Sequence, residues 1–82
     1  MALYFVNYDL RKQRNYQDLY AALNGIGAKR ILESVWALTH NNSSCAVIRD
    51  HLRQHIDADD GLVVSQVSDW ASYKSLAVIP NV

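Results

Sequence analysis

Ala2-Leu3-Tyr4-Phe5-Val6-Asn7-Tyr8-Asp9 is the stretch that decides the fold. Its aromatic and branched residues suit a pleated, half-buried chain, and a strand is predicted over residues 2–8. Leu3 and Phe5 fall on one face, and Tyr4, Val6 and Tyr8 on the other, so both faces are apolar. A strand apolar on both sides is covered on both sides. Asp9 closes the run, and the basic stretch Arg11-Lys12-Gln13-Arg14 follows it.

Working outward, Asn15 has the character of an N-cap, with Asp18 at the third helical position as a short acidic analogue of a capping box. Tyr16, Leu19, Tyr20, Leu23 and Ile26 recur at helical spacing and form one stripe. Gly25 and Gly27 end that helix, because glycine enters the left-handed region without a side-chain penalty. Residues 28–40 read as two strands with a bend near Glu33 and Ser34; one long bent strand fits nearly as well. Asn41-Asn42-Ser43-Ser44 is a turn and cap. A second helix then runs to about Ile56, with Cys45, Ile48, Leu52 and Ile56 inward and Arg49, Asp50, Arg53 and Gln54 outward. Asp59-Asp60-Gly61 is a turn, and residues 62–67 form the last core strand.

The order strand, helix, strand, strand, helix, strand, with right-handed crossovers, predicts an α+β, ferredoxin-like βαββαβ sandwich. Two helices cover one face of a four-stranded antiparallel sheet. Tyr4, Val6, Val35 or Trp36, and alternate residues of 62–67 are expected to leave apolar surface on the other face. A second copy packed there or along an edge would cover it, so a homodimer is expected. Residues 1–67 form the domain and residues 68–82 a C-terminal extension. That extension holds Trp70, Tyr73 and Leu76-Ala77-Val78-Ile79 before Pro80, and is expected to dock as an edge strand at the dimer interface.

Length and composition limit the function. At 82 residues the chain is one domain, burying roughly 60–65% of the surface its unfolded form exposes. Net charge is zero with neutral histidines, which excludes a protein that coats nucleic acid through global charge. Binding there needs a local patch. A single cysteine, Cys45, excludes an intramolecular disulfide and a cysteine zinc cluster. No segment approaches the roughly 20 apolar residues of a membrane span. The N-terminus lacks the features of a signal peptide, so a cytoplasmic location is expected.

Two roles are open to Asp9. Beside cations at a strand mouth, a carboxylate can hold a divalent metal against a phosphodiester; an aspartate there can also simply accept backbone N–H bonds in a turn. Magnesium keeps several waters, so one carboxylate per subunit suffices if phosphate supplies further oxygens. Asn7, two residues earlier on the same strand face, is the evident helper. Arg11, Lys12 and Arg14, with Lys29 and Arg30 near them, form either a phosphate-binding cluster or a solvated basic loop. Pairing two subunits would strengthen the first option, because the fields add.

Other candidates read as structural. His51 and His55 have zinc-compatible spacing on a helix but no third ligand. Asp57, Asp59 and Asp60 fail the calcium-loop spacing, since the twelfth position is Ser68. Cys45 lies on the apolar stripe. Trp36 and Tyr8 can stack on bases, but their place in strands favours packing. Gly25-Ile26-Gly27 ends a helix and has the wrong polarity for anion binding.

The segments Val6-Asn7-Tyr8-Asp9-Leu10, Arg30-Ile31-Leu32-Glu33-Ser34-Val35-Trp36 and Asp59-Asp60-Gly61-Leu62-Val63-Val64 carry a resemblance. In order and spacing, over roughly residues 3–67, the chain resembles the small CRISPR-associated protein two family and its stand-alone relatives. The resemblance implies a sheet-mediated dimer whose two Asp9 carboxylates approach the twofold axis. It implies Asp9 as metal ligand and catalytic residue, with magnesium or manganese as the ion. In that family the protein is the non-catalytic partner of the CRISPR integrase, and some members are metal-dependent nucleases. Small virulence-associated toxin ribonucleases and ribonuclease-like antitoxins share the fold. The aromatic-rich tail is closer to relatives found outside CRISPR loci.

Two functions follow as expectations. One is a dimeric, metal-dependent endonuclease on RNA or DNA, with Asp9 on the metal and Arg11, Lys12, Arg14 and Arg30 on phosphate. The other is a non-catalytic module: an antitoxin, an adaptor or a mimic of a CRISPR subunit. Its partner would be a protein of a defence or toxin-antitoxin system.

Overall fold

Six elements make up the computed structural model, which describes residues 1–12 and 15–80. They are β1 (Ala2–Asp9), α1 (Tyr16–Gly25), β2 (Lys29–Leu32), β3 (Val35–His40), α2 (Cys45–Arg53) and β4 (Gly61–Val67). Asn15 starts α1: its Oδ1 accepts the Asp18 N–H at 3.4 Å, and its Nδ2 donates to the Asp18 carboxylate at 2.9 Å. Ser44 starts α2 by accepting the Val47 N–H at 3.2 Å. Each such cap is worth about 1 kcal/mol. At the end of α1, Gly27 takes φ 80°, and the Ala28 N–H returns to the Leu23 carbonyl at 3.0 Å. The chain bends at Glu33 and Ser34, which separates β2 from β3. α2 ends at Arg53, short of Ile56, and residues 54–55 form a turn.

The sheet order is β2-β3-β1-β4, and every neighbouring pair is antiparallel. With two helices and this order, the fold is the ferredoxin-like sandwich. β1 is central, which explains its apolar residues on both sides. Under the helices lie Tyr4, Val6, Tyr8 and Trp36, packed with Leu19, Leu23, Ile48 and Leu52. Val6, Leu19, Leu23 and Leu52 are fully buried. Burial of side chains this size stabilises by roughly 1.5–3 kcal/mol each.

The assignment of faces differs from the sequence expectation. Tyr4, Val6 and Trp36 lie beneath the helices, and Leu3, Phe5, Val35 and Ala37 form the opposite face. Alternation separates two faces but does not say which is inner. The hydroxyls decide it: the Tyr4 hydroxyl donates to the Ser43 carbonyl at 3.1 Å, in the turn before α2, a partner available only on the helix side.

The C-terminal segment docks on β2, where the Leu76 N–H donates to the Ile31 carbonyl at 2.8 Å. It does so in irregular conformation rather than as a regular strand. Lys74 takes φ 55°, a turn that interrupts any extended run. Beyond it Ala77 and Ile79, with Trp70 before it, pack on Leu3, Ile31 and Ala37. The second face is thus covered in part by the chain's own tail. Among the described residues, no helix is long and apolar enough to cross a membrane.

Candidate functional site

Along β1 the row opposite the helices changes character. Leu3 and Phe5 meet the tail, whereas Asn7 and Asp9 are exposed. Asn7 and Asp9 line one open cleft of about 240 Å³ with Arg11, Gly61 and Val63. Asn7 also lines a second cleft of about 300 Å³, between Phe5, Val35 and the tail residues Ala71, Tyr73 and Ile79. Strand geometry alone brings Asn7 and Asp9 together, since residues two apart share a face.

Asp9 is paired with a cation. Arg11 Nε lies 3.1 Å from Asp9 Oδ2, with side-chain exposures of 57% and 70%. The Arg11 backbone N–H donates to Asp60 Oδ1 at 2.7 Å, and Arg11 Nη1 donates to the Asp59 carbonyl at 3.0 Å. Lys12 Nζ sits 3.1 Å from Asp59 Oδ2. Asp60 is itself tied into its turn, because its Oδ2 accepts the Asp57 N–H at 2.9 Å. Exposed pairs of this kind each contribute little to stability. Their effect is positional: they join the end of β1 to the turn before β4.

Of the other predicted phosphate contacts, Arg14 lies outside the described residues. Arg30 does not line the Asp9 cleft. Its Nε and Nη2 donate to the Glu33 carbonyl at 3.0 and 2.7 Å, and its guanidinium lies 5.1 Å from the Tyr20 ring centroid. That places Arg30 on an aromatic cluster under α1. Tyr8 is the hub of the cluster: its hydroxyl donates to the Glu33 carbonyl (3.0 Å), accepts from the Trp36 indole (3.4 Å) and shares a hydrogen bond with the Tyr20 hydroxyl (3.2 Å). Burial, and then the Tyr20 hydroxyl, push the Tyr8 phenol up to about 12.

Magnesium and manganese take hard oxygen donors, and the site offers the Asp9 carboxylate and the Asn7 amide on one open cleft. Arg11 engages Oδ2 of Asp9 at 3.1 Å. The donor chemistry therefore fits such an ion, but it fits as half a site. Among the described residues there is no cluster of three or more histidine, cysteine, aspartate or glutamate side chains able to hold a metal. His51 and His55 stack edge to face, 5.6 Å between ring centroids, without a third ligand. Cys45 is partly buried against the helix-side core.

Sequence reasoning passed over Asp60 and Gly61 as ordinary turn residues, yet both belong to the site. Gly61 pairs directly with Asp9 in the β1–β4 register. The signal was available in the topology: once β4 lies antiparallel to β1, its first residue falls beside the last residue of β1.

Two comparisons bear on what this arrangement is for. A family model described as CRISPR associated protein Cas2 matches residues 1–74. The crystal structure of a hypothetical protein from Thermus thermophilus superposes with a TM-score of 0.71 at 23% identity, covering 98% of this chain and 95% of that one. At that identity the likeness is one of fold.

Proposed function

The chain belongs to the CRISPR associated protein Cas2 family, and from that premise we propose that it acts as a homodimer on nucleic acid, hydrolysing phosphodiesters with a divalent ion held at Asp9. The observation that carries this reading is the placement of Asp9, Asn7 and Arg11 on one open cleft at the end of the central strand. An ion held there would supply charge stabilisation for the phosphoryl oxygens and a more acidic water. Asp9 would hold it, with Asn7 beside it as a neutral oxygen donor. Arg11 and Lys12 would meet the phosphates flanking the cut; Arg30, on the helix side of the sheet, would not reach them. Magnesium or manganese suits the donors.

Half a site per chain is what favours the dimer: a second Asp9 would complete the ligand set. Apolar surface left on the open side supports pairing there, since Val63, Leu76 and Val78 remain exposed. The C-terminal segment after Val67 would then lie at the interface.

A second reading, a non-catalytic module of a defence or toxin-antitoxin system, has one specific observation in its favour. Both described cations of the basic loop are already matched by acids, Arg11 by Asp9 and Lys12 by Asp59. Incubation of the pure protein with labelled RNA and DNA, with magnesium or manganese, separates the two. Cleavage by the wild type and none by Asp9→Ala supports the nuclease. Equal cleavage by both removes catalysis at Asp9; none by either favours the module, and capture of partners from the host then becomes the informative experiment.

A further inference from the structure

Gly61 lies beside Asp9 in the sheet, and its missing side chain makes room for Arg11. A Cβ at that position would stand 2.9 Å from Arg11 Nη2 and 3.6 Å from Arg11 Cζ. Gly61 does not have the positive φ that Gly27 has, so what the site takes from this glycine is space. The guanidinium rests on a bare Cα. It is also held by the Asp59 carbonyl at 3.0 Å, and its backbone is anchored on Asp60 at 2.7 Å. So seated, it directs Nε at Asp9 Oδ2, 3.1 Å away. Arg11 therefore already supplies a positive charge at the carboxylate that a bound ion would use.

We infer that Arg11 gates Asp9: seated on Gly61 and anchored by Asp60, its guanidinium fills the cation position of the carboxylate until a phosphodiester draws it away. The planar fork of arginine matches two phosphate oxygens, and the phosphate group offers it a charge-assisted pair in exchange for the exposed one it leaves. The Asp60 contact is to the backbone, so the guanidinium can turn toward a strand while the loop keeps its place. Freed of Arg11, the Asp9 carboxylate can take a divalent ion. Metal and nucleic acid then bind cooperatively, and the coupling is reciprocal. Gly61 and Asp60 are positioning residues in this scheme. The inference rests on the reading of Asp9 as a metal ligand.

The test is manganese binding to the intact protein, followed by calorimetry, for wild type, Gly61→Ala, Arg11→Ala and Asp9→Ala. Each is titrated alone and with a short single-stranded DNA, and unfolding midpoints are recorded in parallel. Without DNA, Gly61→Ala and Arg11→Ala should bind manganese about two- to five-fold more tightly than wild type, the range an exposed ion pair accounts for. Gly61→Ala should do so with little change in its midpoint, since only a flexible side-chain end must move. DNA should raise the affinity of wild type by a larger factor than that of Arg11→Ala, in which only phosphate coordination adds to the binding, and Asp9→Ala should bind nothing beyond what DNA itself holds. Equal affinity in wild type, Gly61→Ala and Arg11→Ala, with binding lost in Asp9→Ala, overturns the gate and leaves the metal reading standing. Binding indifferent to Asp9→Ala, or absent from every protein, overturns both.

Discussion

The Arg11 backbone N–H donates to Asp60 Oδ1 at 2.7 Å across 49 positions of sequence. This bond fixes the first cation after β1 to the turn that opens β4, and the same carboxylate holds the Asp57 N–H at 2.9 Å. Replacing Asp60 by alanine removes the acceptor of two backbone donors. We expect a loss of about 1–2 kcal/mol in denaturant unfolding, with Asp60→Asn intermediate because it keeps one acceptor oxygen. No loss in either variant would show that the turn holds without it.

Tyr8 should make the fold sensitive to alkali. Its phenol ionises at about 12 in the folded chain against an ordinary value of 10.0. Below pH 10 both states are neutral and its contribution is intact. Between pH 10 and about 12 the unfolded chain gives up the proton while the folded one keeps it, so stability falls as pH rises. Tyr8→Phe should lose roughly 1–2 kcal/mol near neutrality, through its hydrogen bonds. It should also show a shallower decline over the alkaline range. Parallel pH profiles for the two proteins would contradict this account of Tyr8.

The C-terminal segment should matter to the fold as well as to assembly. Ile79 is 7% exposed, in a cluster with Leu3, Ile31 and Ala37. Removing everything after Ser75 exposes that face and deletes the Leu76 bond to Ile31, at a cost of roughly 1.5–3 kcal/mol for the isoleucine alone. Chemical unfolding reads the loss, and sedimentation reads subunit association. Unchanged stability, association and solubility would remove the docking role.

Phosphate contact by the basic loop is tested by salt. If Lys12 leaves Asp59 for a phosphate, Lys12→Ala should weaken binding to all sequences alike and reduce the slope of log affinity against log salt by about one. A slope that stays the same would leave Lys12 as the surface ion pair it makes with Asp59.

Much of the architecture was legible because short-range signals agree with it. Asn15 and Ser44 cap helices as their side chains suggest, and the Leu19, Leu23, Ile48 and Leu52 stripes are the buried ones. The two faces of β1 were not distinguishable, since Leu3 and Phe5 are as apolar as Tyr4 and Val6. Only the tertiary partners of the Tyr4 and Tyr8 hydroxyls make that distinction. The path of the tail was hidden for a related reason: alternation cannot show that Ala77 and Ile79 return to the face of their own sheet. Asp9 and Arg11 were legible as a charged pair at a strand mouth. The Asp60 anchor and the space above Gly61 were not, because they arise from the pairing of residues far apart in sequence.

The most direct measurement of the central claim is the manganese-concentration dependence of cleavage of a uniformly labelled RNA and its DNA counterpart, by wild type and by the isosteric Asp9→Asn variant at equal folded concentration. The account predicts saturable, metal-dependent cleavage by wild type and none by the variant. Cleavage that persists in Asp9→Asn, or that is indifferent to manganese, would contradict it.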